Sequence, residues 1–226
     1  MRHPGPAWLP CLLLLTPPFP ACAAEDSPTG LYRAAEGPDL ASRLWVGTDG
    51  RFRYELIAGA LDQWARGEWR HLPDGGIALT TRPRPKPPQF RIESMTGGKA
   101  SGAPLSLHVA WPNGRGIAGI DFRIGLEGGE VVEGYTQEDG WQADSPGTAR
   151  PLWIELREPI YGTMLARTAI PDGKVELRFV LEPNDMGVAD FRDTPAEFVN
   201  GRLILHTPDG DIRYDRIEEK AAAHPR

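Results

Sequence analysis

Much of the chain beyond residue 30 alternates apolar and polar side chains. The clearest run spans residues 51–56, in which every second residue is apolar, namely Phe52, Tyr54 and Leu56. The same period of two recurs over residues 105–111, 152–157 and 175–181. This period is typical of strands with one buried and one solvated face. A helix would instead bring Arg or Glu onto the apolar face within two turns, at a high desolvation cost. The pattern therefore predicts an all-β fold.

Tight-turn dipeptides separate these runs. Asp-Gly or Asn-Gly pairs occur seven times, at residues 49–50, 74–75, 113–114, 139–140, 172–173, 200–201 and 209–210. Asp and Asn tolerate positive φ and Gly favours it, so these pairs suit hairpin turns between twisted strands. One stretch, residues 58–69, has a helix-like composition but is broken by Gly59 and Gly67. We interpret it as a loop or a short turn of helix.

The first 24 residues differ from the rest of the chain. Arg2 precedes an apolar stretch over residues 9–15, and prolines and then small residues follow up to Ala24. This order predicts a secretory signal peptide over residues 1–24, cleaved near Ala23 or Ala24. A buried N-terminal strand or helix is one alternative. A lipoprotein anchored through Cys22 is another, although Phe-Pro-Ala at residues 19–21 fits the lipoprotein pattern poorly. The abundant Arg, Ala, Gly and Pro suggest a bacterium, so we expect a periplasmic or secreted protein.

Composition limits the chemistry of the mature chain. Both cysteines, Cys11 and Cys22, lie in the predicted signal peptide, which excludes a disulfide, a Cys-ligated metal and a cysteine nucleophile afterwards. Removal of residues 1–24 leaves 24 basic and 31 acidic residues, a net charge of −7. That acidity argues against nucleic acid as a partner. No second long apolar run occurs, so no transmembrane segment is expected in the mature protein.

The mature chain divides into three sections. Residues 29–92 form a predicted meander of strands, and residues 103–158 form a second section. Residues 173–217 show predicted strands like those of the first section. Near the end of the first section, residues 82–88 hold four prolines, which fix φ and lack an N–H donor. This run predicts a stiff polyproline-II connector or an edge segment. The tail, residues 218–226, is expected to be disordered.

The second section resembles a known family. Residues 105–124, LSLHVAWPNGRGIAGIDFRI, and residues 134–141, GYTQEDGW, are similar to the opening hairpin and the Thr-x-x-Asp-Gly-aromatic turn of the carboxypeptidase-regulatory-like (transthyretin-like) β-sandwich. The resemblance covers residues 103–158, about 55 positions. It implies a seven-stranded sandwich without catalytic residues of its own.

The flanking sections suggest one discontinuous domain. Gly30-x-Tyr32, the hairpin at residues 49–52 and Gly67-x-Trp69 loosely resemble lipocalin-like barrels. We therefore expect residues 29–92 and 173–217 to form a barrel-like domain into which the sandwich is inserted. Two domains in tandem, the sandwich following a small meander, are the alternative.

The sequence offers little catalytic chemistry. It contains no Gly-x-Ser-x-Gly elbow, and its histidines lack the His-x-His or His-Glu-x-x-His spacing of zinc sites. His108 and His206 are interpreted as strand residues on solvated faces. The acidic pairs near Asp209 and Asp185 lack the repeated ligand spacing of a calcium loop. We predict no metal, no cofactor and no enzymatic activity, with a hydrolase lacking a recognisable motif as the alternative.

Aromatic residues are the remaining candidates for binding. Trp153 lies opposite the apolar face of its predicted strand and Trp64 lies in the Gly-bounded loop, and an exposed indole there can stack on sugars or partner surfaces. The alternative is a structural role, in which Trp153 lies between the two domains and Trp64 covers the end of the barrel. Phe52 and Tyr54 would line the barrel interior, together with Leu56, Leu177 and Phe179. The leading expectation is a non-enzymatic envelope protein that holds a partner protein on its β surfaces. The alternatives are a lipocalin-like carrier of a small apolar ligand, which needs an open interior, and a carbohydrate-binding module.

Overall fold

The computed structural model describes residues 27–34, 40–97, 103–144 and 149–217. The predicted signal peptide over residues 1–24, with both cysteines, and the predicted tail over residues 218–226 lie outside these ranges. Sixteen strands and no helix occur within them, which confirms the all-β prediction. The strands are β1 (Gly30–Ala34), β2 (Leu40–Val46), β3 (Arg51–Ala58), β4 (Leu61–His71), β5 (Ile77–Thr81), β6 (Gln89–Thr96), β7 (Ser106–Ala110), β8 (Asp121–Leu126), β9 (Val131–Tyr135), β10 (Trp141–Gln142), β11 (Pro151–Glu158), β12 (Thr163–Ala169), β13 (Glu176–Glu182), β14 (Thr194–Val199), β15 (Arg202–Thr207) and β16 (Gly210–Ile217).

Eight strands from the two ends of the chain close into a barrel. Their order is β1-β16-β15-β14-β5-β4-β3-β2, and β2 pairs back onto β1. All neighbouring strands are antiparallel. The inward residues of these strands form one apolar cluster. The barrel is thus assembled from segments on both sides of a long insertion.

The insertion forms a sandwich of two four-stranded sheets. One sheet has the order β10-β7-β13-β6 and the other β12-β11-β8-β9. Strand β13 runs parallel to β7 and antiparallel to β6. Side chains from both sheets meet in a second apolar cluster, which includes Val109, Phe122, Ile154 and Phe179. The sandwich has eight strands, one more than the resemblance implies, because the two-residue β10 adds to one sheet edge.

The predicted boundaries of the two units need correction. Strand β13, assigned to the barrel by the range 173–217, lies in the sandwich, and so does β6, whose first residues fall within 29–92. Leu177 and Phe179 accordingly pack in the sandwich core and not in the barrel. Alternation identified these segments as strands, but it carries no information about which strands they pair with.

Two further local predictions were wrong. The stretch interpreted as a loop or helical turn is mostly strand β4, and only Gly59, with φ of 58°, and Ala60 lie in a turn. Gly67 is required within β4 because a Cβ there would lie 2.0 Å from the Thr80 carbonyl oxygen. Leu152, expected on the apolar face of its strand, is 36% exposed because the β11–β8 register shifts between Pro151 and Trp153.

The turn dipeptides behave as predicted. All seven glycines of the Asp-Gly and Asn-Gly pairs have positive φ, between 76° and 130°. Four of the pairs close barrel hairpins, joining β2 to β3, β4 to β5, β14 to β15 and β15 to β16. The pair at residues 172–173 instead links the two sheets of the sandwich, from β12 to β13.

The motif that carries the family resemblance forms a tightly bonded turn. The hydroxyl of Thr136, which is fully buried, donates to the Ile117 carbonyl at 2.6 Å and accepts from the Ile120 amide at 3.2 Å. Trp141 packs against Phe122 with ring centroids 4.8 Å apart. The turn therefore fixes the loop before β8 to the end of β9. The family relationship itself stays a prediction.

Two linkers connect the barrel to the sandwich, and they run next to each other. The proline-rich run over residues 82–88 bonds to the return linker, residues 183–193, which leads from β13 back to β14. The Lys86 amide donates to Asp185 Oδ2 at 2.8 Å, and Asn184 Nδ2 donates to the Pro87 carbonyl at 2.9 Å. Nearer the barrel, the Thr81 hydroxyl donates to the Ala189 carbonyl at 2.8 Å. These bonds give the prolines a structural role as one half of a two-stranded stem.

Candidate binding face on the barrel

Phe52 and Tyr54, two of the predicted binding residues, belong to the barrel core. They are 1% and 2% exposed, and both contact Phe191, with ring centroids 5.9 and 4.9 Å away. Burial raises the pKa of the Tyr54 phenol, and the nearby Tyr214 and Asp209 raise it further. Burial likewise raises the pKa of Tyr214 to about 12, against the hydrogen bond between its hydroxyl and that of Ser42, which lowers it. Both phenols are therefore neutral, structural groups at physiological pH.

A cluster of fourteen buried side chains occupies the core of the barrel. None of these fourteen residues exceeds 7% exposure. Side chains around an empty cavity large enough for water would keep more accessible surface than this. Phe191, which enters from the return linker, fills the space between β3 and the linkers. The carrier hypothesis requires an open interior, and these residues leave none among themselves.

Trp64 and Trp153 lie on different units of the protein. Trp153 is half-buried on the outer face of the β12-β11-β8-β9 sheet, where its ring covers Gly125 and the Arg167 guanidinium lies 3.8 Å from its centroid. Trp64 is 47% exposed on β4, and its backbone amide donates to the Gly187 carbonyl at 2.9 Å. The two indoles thus belong to different sheets, and the carbohydrate hypothesis itself stays a prediction.

Trp64 flanks a row of arginines on the outside of the barrel. Trp45 on β2 pairs with Arg53 on β3, and Arg53 pairs with Arg66 on β4. The row continues to Arg82, whose amide donates to the Arg66 carbonyl at 2.9 Å. Arg53, Arg66 and Arg82, all exposed, are called the basic row below. They face solvent because β3 and β4 direct their alternate residues, among them Phe52 and Ala65, into the core.

The basic row has no salt-bridge partner among the residues that the structure describes. Within the ranges that the structure describes, none of its three guanidinium groups forms a salt bridge, whereas eight other arginines do. Arg53 and Arg66 are instead direct cross-strand neighbours. Like charges placed opposite each other destabilise a sheet. The row is therefore a local concentration of positive charge on a chain whose net charge is −6.

A surface concavity of about 620 Å³ lies over this row. Its walls include Trp45 and the three arginines, together with Arg51 and the acidic residues Asp49 and Glu68. Trp45 is 36% exposed, and the Arg53 guanidinium lies 5.6 Å from its ring centroid. Four arginines against two carboxylates leave the concavity positive. Its volume lies in the usual range for small-ligand sites, about 300–1,000 Å³.

The groups of this face suit binding more than bond-making chemistry. Guanidinium forks hold carboxylate and phosphate oxygens in bidentate hydrogen bonds and do not deprotonate in proteins. Exposed indoles add stacking and apolar contact. Among the described residues, no group of three or more His, Cys, Asp or Glu side chains could hold a metal ion. His108 lies in the sandwich and His206 in the barrel, where His206 Nδ1 lies 2.8 Å from Asp211 Oδ1.

Comparison with known proteins gives no relative from which a role could be transferred. The chain matches no protein family, no curated protein and no solved structure. In the described ranges, no helix has the length and apolarity needed to cross a membrane. The physical properties of the barrel face are therefore the basis for assigning a function.

Sequence reasoning missed Trp45 and the basic row. The alternation over residues 51–56 did place Arg51 and Arg53 on the solvated face. Exposed arginines are common, however, and a single one does not indicate a binding site. What makes the row distinctive is the pairing that brings together Arg53 from β3, Arg66 from β4 and Arg82 from the residue after β5. The excess of arginines over carboxylates around the concavity is equally a tertiary property.

Proposed function

We propose that this protein is a non-enzymatic binding protein of the bacterial cell envelope that holds an anionic partner on the basic row. The observation that carries the proposal is the set of three neighbouring arginines that form no salt bridge within the described ranges, next to the exposed Trp45. A like-charge pair opposite in a sheet costs about 0.2–1 kcal/mol relative to neutral residues. An anionic partner offsets that cost on binding.

The composition of the face supports a role in recognition. Trp and Arg are the residue types most enriched among those that dominate binding energies, and Trp45, Trp64 and the basic row combine both. The predicted signal peptide motivates the envelope as the place of action, while the side chains of the row motivate binding without catalysis. A hydrolase lacking recognisable motifs stays the alternative.

The proposal is tested with a polyanion as the probe. Binding of the exported, purified protein to immobilised dextran sulfate is measured by biolayer interferometry at increasing salt. We expect binding at low ionic strength that weakens as salt is added, because exposed charges more than about 10 Å apart are screened at 0.1 M. Replacing Arg53 and Arg66 together with glutamine should weaken it by about tenfold or more, the loss of two charge-assisted contacts.

A matched control separates this site from the overall charge of the protein. Arg178 is an exposed arginine on the sandwich strand β13 that also lacks a salt bridge among the described residues, so Arg178→Gln removes one such charge elsewhere. It should bind dextran sulfate like the wild type. The proposal fails if the wild-type protein does not bind at low salt, or if Arg178→Gln weakens binding as much as Arg66→Gln alone.

A further inference from the structure

The basic row continues across the barrel into a row of apolar side chains. Trp45, which pairs with Arg53, also pairs with Leu31 on β1, and Leu31 pairs with Ile217 on β16. Leu31 and Ile217 are each 38% exposed and Trp45 36%. These three residues are called the apolar row. Five strands and the residue that follows β5 thus contribute one line of side chains, with three apolar residues followed by three arginines.

The line of side chains is divided into an apolar half and a basic half. The two rows meet between Trp45 and Arg53, where the guanidinium stands over the indole. Neighbouring strands lie about 4.8 Å apart, so each row is about 10 Å long between its end strands. A ligand that covers the whole line must be anionic at one end and apolar at the other.

From this division we propose that the anionic partner is an amphiphile, a single lipid-like molecule with a phosphate or carboxylate head and a hydrocarbon tail. This inference rests on the proposed function and deepens it. The head group lies in the concavity over Arg53, Arg66 and Arg82, where bidentate hydrogen bonds are available. The tail lies along Trp45, Leu31 and Ile217 and removes their exposed area from water.

The shape of the barrel favours one molecule over a membrane surface. The line crosses five of the eight strands of a closed barrel, from β16 through β1, β2 and β3 to β4, so it wraps part of the way round a cylinder. A flexible hydrocarbon chain can follow that curvature, whereas a flat bilayer would contact only part of the line. The ligand site is consequently on the outside of the barrel, and the filled interior is no obstacle to it.

The test compares a complete amphiphile with its two parts. Dodecyl phosphate below its micelle concentration, inorganic phosphate and dodecyl maltoside are titrated into the purified protein, with isothermal calorimetry as the readout. Dodecyl phosphate should bind about tenfold or more tightly than inorganic phosphate, because each methylene that becomes buried adds up to about fourfold. Dodecyl maltoside, which carries the tail without the charge, should bind more weakly than dodecyl phosphate.

Two variants assign the two halves of the ligand. Leu31→Ser should lower the affinity for dodecyl phosphate by about fivefold to tenfold, while its binding to dextran sulfate stays at the wild-type level. Arg66→Gln should weaken both. Ile160→Ser, at an exposed apolar residue of the sandwich, is the matched control and should change neither.

The outcomes separate this inference from the proposed function. If dextran sulfate binds through the basic row but the alkyl chain adds no affinity, the amphiphile is wrong and the proposed function stands. Binding to vesicles of phosphatidylglycerol and phosphatidylcholine without binding of monomeric dodecyl phosphate also overturns the inference, in favour of a membrane surface. If neither dextran sulfate nor dodecyl phosphate binds, both proposals fail.

Discussion

Replacing Phe191 with alanine should destabilise the barrel more than its position in a linker suggests. Phe191 is 5% exposed, and its ring contacts those of Phe52 and Tyr54. Its backbone is also held, because its amide donates to the Thr81 hydroxyl at 3.0 Å and its carbonyl accepts from the Thr81 amide at 2.9 Å. The substitution leaves this backbone in place and removes only the ring.

The expected loss follows from the size of the cavity that the ring leaves. Phe→Ala substitutions in protein cores cost about 3–5 kcal/mol. The edge-on contact with Tyr54 belongs to the geometry that adds about 0.5–1.5 kcal/mol beyond area burial. For a protein of this size each kcal/mol lowers the melting temperature by about 2–4 °C. We therefore expect a decrease of roughly 6–20 °C.

The measurement is urea unfolding followed by tryptophan fluorescence, with thermal unfolding as a second probe. Ile160→Ala, at a side chain that is 45% exposed on the sandwich, is the control and should change the free energy of unfolding by less than about 0.5 kcal/mol. Phe191→Leu, which keeps most of the volume, should fall between the two. A loss below about 1 kcal/mol for Phe191→Ala would refute the conclusion that the return linker completes the barrel core.

Three other predictions concern the sandwich turn, the buried phenols and the basic row. Thr136→Val keeps the side-chain shape but leaves a buried carbonyl and a buried amide without partners, so it should cost about 2–4 kcal/mol in urea unfolding. A cost under about 1 kcal/mol would count against the turn. The raised pKa values of Tyr54 and Tyr214 favour their neutral forms in the folded state, so this stabilisation is complete below pH 10 and is lost as the pH rises towards 12. The free energy of unfolding, measured from pH 8 to pH 11.5, should fall only above pH 10, and a flat profile would contradict this. Arg66→Gln removes a like-charge neighbour, so calorimetry should show unchanged or slightly higher thermal stability, and a marked decrease would mean that Arg66 has a structural partner.

The sequence was sufficient for the local structure of the barrel hairpins. Residues 51–56 alternate because β3 has one face in the core, and the Asp49-Gly50 pair before them closes the hairpin to β2. These are short-range properties, set by side-chain period and by backbone conformations that Gly and Asp tolerate. Strand partners could not be predicted in the same way, as β13 demonstrates, because partner choice depends on residues distant in the chain.

The candidate site was predictable only in part. Trp64 was identified as an exposed indole, and it does flank the basic row. Phe52 and Tyr54 were correctly placed inside the barrel, but the sequence does not reveal that Phe191, more than 130 positions later, fills the remaining space. Leu31 and Ile217 are neighbours only because the first and last barrel strands pair. The residue pattern within a single strand does not predict such a contact.

Chemical footprinting of the arginines tests the central claim most directly. Phenylglyoxal modification is followed residue by residue by mass spectrometry, with and without dextran sulfate at low salt. If the basic row holds the anion, modification of Arg53, Arg66 and Arg82 slows in its presence, whereas modification of Arg115 and Arg178 on the sandwich does not change. Equal protection of all five arginines, or protection of the sandwich pair alone, would contradict the account.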